Sequence, residues 1–211
     1  MNLFETVSYS DEDAKRTQQY QKEAERVVFQ ESFTNEDDFL KSLNMISETK
    51  PFDNFTIPRI AQLSQRSNQF NLRTIRYTED DVKRIAQSDN YFTLSFTLED
   101  KFGDNGLICA IILEKRSRDV ACNVSTLFID TWFMSCRVLK RGMEAYTLNA
   151  IVKTAKTNDY DKIIGEYIPT PKNEIVRDHY KNLGFEATDI ENVRRLDVTK
   201  YTMKANHITE K

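Results

Sequence analysis

The residues best placed to do chemistry in this 211-residue chain are Ser135-Cys136-Arg137-Val138-Leu139-Lys140-Arg141-Gly142, which follow a long apolar run and lead into a helix-like stretch. Arg137, Lys140 and Arg141 would crowd the N-terminus of that helix, where the macrodipole opposes cations. Such a cluster predicts an anion nearby, and phosphate suits a helix N-terminus; plain solvated charge is the alternative. Cys136 stands at the strand end just before these cations. That setting favours a nucleophilic thiol able to carry an acyl group as a thioester, the alternative being a small residue filling a tight turn. A second polar concentration is Gln62, Gln65, Arg66, Asn68, Gln69, Asn71 and Arg73. Gln62, Gln65 and Gln69 fall at i, i+3 and i+7 and share one helical face, which either lines a polar cleft that reads an acyl group's hydroxyls or meets solvent. Asp100 and Asp104 suit a general base or a partner-binding edge, though turns also recruit Asp for local backbone bonds.

Composition removes several alternatives. Thirty Lys+Arg against 33 Asp+Glu leave a formal charge of −3, without the basic excess of a nucleic-acid binder. Hydrophobic residues at 39% and aromatics at 11% suit a soluble globular chain, and no apolar run approaches the roughly 20 residues that span a bilayer. Met1 to Ser10 has neither a basic start nor an apolar core, so no signal peptide is expected. Three cysteines without a C-x-x-C pattern point to reduced thiols in a cytoplasm, with Cys109 and Cys122 structural. Two histidines, His179 and His207, leave little for a zinc site or a histidine-based triad, and no metal is expected.

The elements that must position these residues fall into two regions, a helical N-terminal extension over 1–70 and an α/β domain over 71–211. Helices are predicted for Asp11 to Gln30, for Glu36 to Leu43 behind a Thr34 capping box, and for Pro58 to Asn68. Leu72 to Tyr77 alternates like a strand and runs into a helix capped by Thr78. Tyr91 to Glu99 and Gly106 to Lys115 read as a hairpin, followed by a long strand from Val124 to Ser135. A helix from Gly142 to Thr157, a strand from Lys162 to Ile168, a helix from Asn173 to Leu183 closed by Gly184, and a strand from Arg194 to Tyr201 complete the order β-α-β-β-β-α-β-α-β.

That order resembles the GNAT acyltransferase fold, an α+β architecture with a central, mixed, mostly antiparallel sheet flanked by helices. Arg137 to Gly142 is similar to the family's phosphate-binding loop [R/Q]-x-x-G-x-[G/A], with Lys140 where the first Gly stands. Asn173, Tyr180 and Gly184-Phe185 are similar to its N-x-x-x-x-x-x-Y-x-x-x-G-F ending. The resemblance implies that Ser135 to Gly142 meets the pyrophosphate of coenzyme A and that Tyr180 protonates the leaving thiolate. It also implies that Asn173 bonds the pantetheine arm, although capping the following helix is an alternative; His179 is expected to be exposed on another face. PRIAQLSQRSNQFNLRTIRY, LEDKFGDNGLI, FMSCRVLKRG and YIPTPKN resemble the C-terminal half of FkbH-like proteins, where a HAD-type phosphatase domain precedes a GNAT-like one. That family is associated with moving a glyceryl unit from an acyl phosphate onto the thiol of an acyl carrier protein. No D-x-D-x-[T/V] motif is present, so no aspartyl-phosphate chemistry is expected of this chain. The resemblance implies an acyltransferase using acyl-coenzyme A or carrier-protein phosphopantetheine, with a module that docks a carrier protein or a HAD-type partner, or an N-acetyltransferase of a small amine, as alternatives.

Overall fold

A computed structural model of the chain describes residues 22–119 and 124–211. The expected helix over Asp11 to Gln30 is seen only as α1 (22–31), and its first half and Cys122 lie outside the described residues. α2 (Glu36–Ser42) is capped by Asn35, whose side chain accepts from the Asp37 amide, and not by Thr34. Between the second and third expected helices the extension holds strand: β1 (Met45–Ser47) and β2 (Thr49–Lys50) both join the sheet. The segment 1–70 is therefore not purely helical, and Phe39, Leu43 and Met45 enter the same core as Phe96, Trp132 and Ile151. α3 (Ile57–Arg66) buries Ile57, Ile60, Ala61 and Leu63.

Leu72 to Tyr77 forms no strand; it is an irregular segment that follows an isolated antiparallel bridge between Asn71 and Phe133. α4 (Glu79–Ala86) begins at the predicted cap, with Thr78 and Asp81 bonding each other's backbone. β3 (Tyr91–Asp100), β4 (Gly103–Asp119) and β5 (Val124–Met134) make an antiparallel meander, turned between β3 and β4 at Lys101-Phe102. α5 (Met143–Thr157) crosses over to β6 (Lys162–Glu166), which runs parallel to β5. The helix expected from Asn173 to Leu183 is broken into a 3-10 turn, Glu174–Val176, and the single-turn α6 (His179–Asn182). β7 (Glu186–Ala187), β8 (Val193–Asp197) and β9 (Ile208–Glu210) end the chain. The sheet order is β7-β8-β6-β5-β4-β3-β1-β9, with β2 also on β3.

Alternation along the central strands sends Cys109, Ile111, Trp132 and Met134 to one face, under α5 and α6, and Ala110, Ile112 and Phe133 to the other, under α3 and α4. Among the described residues no helix is long and apolar enough to cross a membrane.

Candidate functional site

β5 and β6 pair only from Thr126 with Lys162 to Ile129 with Gly165, and then diverge. The divergence starts where β5 carries a register shift against β4: Ile112 faces Thr131 and Leu113 faces Ile129, so Asp130 is the extra residue of a bulge. The wedge between the strands is filled by the chain itself. The Leu72 amide donates to Trp132 O (3.3 Å), Met134 N to Phe70 O (3.0 Å) and Ile168 N to Leu72 O (2.8 Å), so residues 70–72 act as a short strap bonded to both strands. Arg73 clasps it: Nη1 reaches Asp130 Oδ1 and Nε reaches Glu166 Oε2, both at 2.8 Å. Tyr77 donates to Asp130 and lies 2.9 Å from Thr131 Oγ1. Burial, and then the charge of Asp130, push the Tyr77 phenol well above its usual pKa.

Tyr180 sits at the crotch of the wedge, 1% exposed, and its Oη has no hydrogen-bond partner among the described residues. Its ring lies on Gly165 so closely that a Cβ there would collide with Cζ and stand 2.8 Å from Oη. Burial drives this phenol far upward, so it keeps its proton. His179 is not on an exposed face as expected: it is 7% exposed, packs against Trp132 and Phe70, and burial lowers its pKa to about 3. Asn173 neither caps a helix through its side chain nor keeps capacity for a ligand. Its Oδ1 accepts from Thr170 N and the Tyr167 hydroxyl, and its Nδ2 donates to Ile168 O and to Asn71 O of the strap.

The loop after β5 lies at the same end of the sheet. Cys136 opens a 3-10 turn and is exposed, whereas Ser135 and Val138 are buried. Lys140 has φ +61° and Gly142 φ +79°, so Lys140 takes the left-handed backbone that a glycine would adopt without strain. The amides of Arg141 and Gly142 make no hydrogen bond to the protein among the described residues. The expected triplet of free cations is not formed. Arg141 is buried and turns inward, pairing with Asp100 (3.2 Å) and Glu23 (3.2 Å), while Arg26 grips both Asp100 oxygens at 2.8 and 3.1 Å. Asp100 is thereby corrected from a substrate contact to the centre of a buried ion network. Asp104 serves the turn, accepting from Gly106 N at 2.7 Å. Arg137 is half-buried, with Nε 3.3 Å from Ser135 Oγ. Cys109 is buried, as expected of a structural cysteine.

The polar run divides in three. Gln62 accepts from Arg59, Gln65 donates to Tyr77 O (3.1 Å), and Asn68 accepts from Arg76, which also binds the carbonyls of Ser64 and Ser67. Asn71 is fully buried with Oδ1 on Thr74 N and Nδ2 unpartnered. Gln69 lies beyond the end of α3, exposed, so the three glutamines do not form one lining face. Sequence reasoning missed Arg59, Tyr77, Asp130 and Glu166. One signal was available: Asp130 is a lone charge inside the apolar run LFIDTWFM.

No protein-family model matches this chain, and no curated protein does. Solved structures do match. The ribosomal-protein-S18-alanine N-acetyltransferase from Escherichia coli aligns with a TM-score of 0.52 over 76% of this chain and 99% of its own, at 12% identity. NAA60 of Arabidopsis thaliana, in complex with a bisubstrate analogue, gives 0.54 over 72% and 98% at 14% identity. An N-acetyltransferase from Staphylococcus aureus Mu50 gives 0.51 over 74% and 99% at 16% identity. At such identities the likeness establishes the fold, and the fold is that of GNAT acetyltransferases: a mostly antiparallel open sheet flanked by helices.

Proposed function

We propose that this chain is a cytoplasmic acyltransferase of GNAT-like fold that handles a thioester, with the phosphate of coenzyme A or of a carrier protein's phosphopantetheine held at the loop from Ser135 to Gly142. The observation that carries this reading is that loop's geometry: β5 delivers the exposed Cys136 and two left-handed residues to the N-terminus of a 15-residue helix, beside unpartnered amides of Arg141 and Gly142. Such an end attracts phosphate through its amides and its dipole. In the transfer, a nucleophile adds to the thioester carbonyl carbon and the C–S bond breaks. The Asn173, Tyr180 and Gly184-Phe185 resemblance makes Tyr180 the proton donor to the departing thiolate. Its hydroxyl has no partner among the described residues but is buried, so the role requires the wedge to open. Cys136 can take the acyl group first, as a thioester on Sγ, and pass it to a pantetheine thiol. The sequence runs that resemble FkbH-like proteins favour a glyceryl-type acyl group and a carrier-protein acceptor.

A second reading, a docking module for a carrier protein or a HAD-type partner, is favoured by the strap. An arm reaching from the α5 loop to Tyr180 would follow the edge of β5, and residues 70–72 occupy that edge. Calorimetric titration with acetyl-coenzyme A, in the wild type and in Arg137→Ala and Lys140→Gly, tests the two. Micromolar binding that falls at least tenfold in Arg137→Ala supports the enzyme reading. Absence of binding in all three proteins overturns coenzyme A as the substrate, and holo carrier protein then becomes the titrant.

A further inference from the structure

Four arginines stand near the exposed end of β5 and α3 without a carboxylate in ion-pair range among the described residues: Arg59, Arg66, Arg76 and Arg137. Arg76 is explained, since it caps α3 by binding the carbonyls of Ser64 and Ser67 at the helix's negative end. The other three are not. Arg59 and Arg66 lie seven residues apart on α3, hence on one face and about 10.5 Å apart along the axis. Arg59 occupies the first turn of that helix, which holds no acidic residue, so the dipole opposes its charge. It is half-buried, its one side-chain partner among the described residues is the neutral amide oxygen of Gln62, and the charges that act on it are those of Arg137 and Arg66, both of its own sign. Burial first, and then those like charges, push its guanidinium below the ordinary value. Arg137 bonds only Ser135 Oγ; Glu23 and Asp104 border the crevice on its other side, but Glu23 is already shared by Arg26 and Arg141, and Asp104 by the Gly106 amide.

Arg59 stands between the like charges of Arg66, two turns along α3, and Arg137, with only neutral side-chain partners for Arg59 and Arg137, an arrangement that an anion would relieve. A carboxylate satisfies one arginine in bidentate fashion, whereas a tetrahedral dianion offers enough oxygens and charge for two or three. We propose that Arg59 and Arg66 of α3, together with Arg137, form a binding site for a phosphate monoester or inorganic phosphate beside Cys136, on the α3 side of the sheet and separate from the amides of the α5 loop. Gln62 orients Arg59 and Ser135 orients Arg137, and the site places a phosphorylated group next to the exposed thiol. This site shares Arg137 with the loop proposed above for a thioester's phosphate and is told from it by Arg59 and Arg66.

The test uses inorganic phosphate as the probe, with sodium chloride at equal ionic strength as the control. Calorimetry of the wild type is expected to give saturable phosphate binding, weakened several-fold in Arg66→Gln, whose exposed side chain is not needed for folding, and at least tenfold in Arg59→Gln/Arg66→Gln. Arg84→Gln, which removes an exposed partner of Asp81 on α4, is expected to bind as the wild type does. Alkylation of Cys136 by iodoacetamide, read on its peptide by mass spectrometry, is expected to slow as phosphate saturates. Wild-type affinity in Arg66→Gln and in the double variant, or no saturable binding in the wild type, overturns the site. Binding that leaves the Cys136 alkylation rate unchanged overturns its placement beside the thiol. Phosphate held at the amides of the α5 loop alone would bind equally well in Arg59→Gln/Arg66→Gln, so the arginine variants distinguish failure of this site from failure of the thioester reading.

Discussion

Lowering the pH should destabilise this protein through His179. The ring packs edge-on against Trp132 (4.5 Å between centroids) and Phe70 (4.9 Å), and Nε2 is buried without a partner. Burial lowers its pKa from 6.5 to about 3. The unfolded chain therefore takes up a proton near pH 6.5 that the folded chain refuses until about pH 3, so this contribution is complete above pH 6.5 and is lost as the pH falls. Each pH unit inside that window costs about 1.36 kcal/mol. Between pH 7.5 and pH 5.0 the loss is about 2 kcal/mol, which lowers the melting midpoint of a domain this size by about 4–8 °C. The assay compares denaturation midpoints of the wild type and His179→Phe across that range. Phenylalanine keeps an aromatic ring beside Trp132 and has no proton to bind, so the difference between the two curves isolates His179 from every other titrating group. The variant should lack about 2 kcal/mol of the acid loss, whatever its stability at pH 7.5. Parallel curves would refute a neutral His179 sealed beneath the strap, and with it the packing described for α6.

Two further substitutions probe the core of the site. Asp100→Asn leaves Arg26 and Arg141 facing each other with one neutral partner where a fully buried carboxylate had been. A loss of about 3 kcal/mol is expected by urea denaturation, because the partly exposed Glu23 is then the one carboxylate among the described residues left for both buried guanidiniums. Gly165→Ala drives a methyl into the Tyr180 ring and should cost about 1–3 kcal/mol. Tyr180→Leu removes the obstructing ring, so the double variant should be clearly less destabilised than the two single effects added together.

Where a local rule decides the outcome, the sequence was readable. Thr78 and Asp81 announce α4 because both halves of a capping box are four residues long in total, and α5 follows from the spacing of Met143, Ile151, Val152 and Ala155. Leu72 to Tyr77 misled because alternation marks burial on one side without saying what lies there. Phe70 and Leu72 do alternate into the core, but they do so as a strap across a wedge, and Thr74 at φ +55° ends any ladder. Arg141 misled for another reason. Its carboxylate partners lie 41 and 118 residues away, so nothing adjacent signals that its charge is already neutralised. Arg59 was overlooked for the converse reason, since only the fold reveals that no partner arrives.

The parallel pairing of Met45–Ser47 with Ile208–Glu210 has a consequence for how the molecule is made. A strand near the start of the described residues waits for a partner that lies 163 residues further along the chain, from Met45 to Ile208. Until then the outer side of β1, next to the apolar Leu43 and Met45, offers open backbone groups to any other extended chain. Contacts this distant in sequence also form slowly. In the folded protein three residues of β9 cover that side of β1, so its open backbone groups are bare while the chain between the two strands is being made.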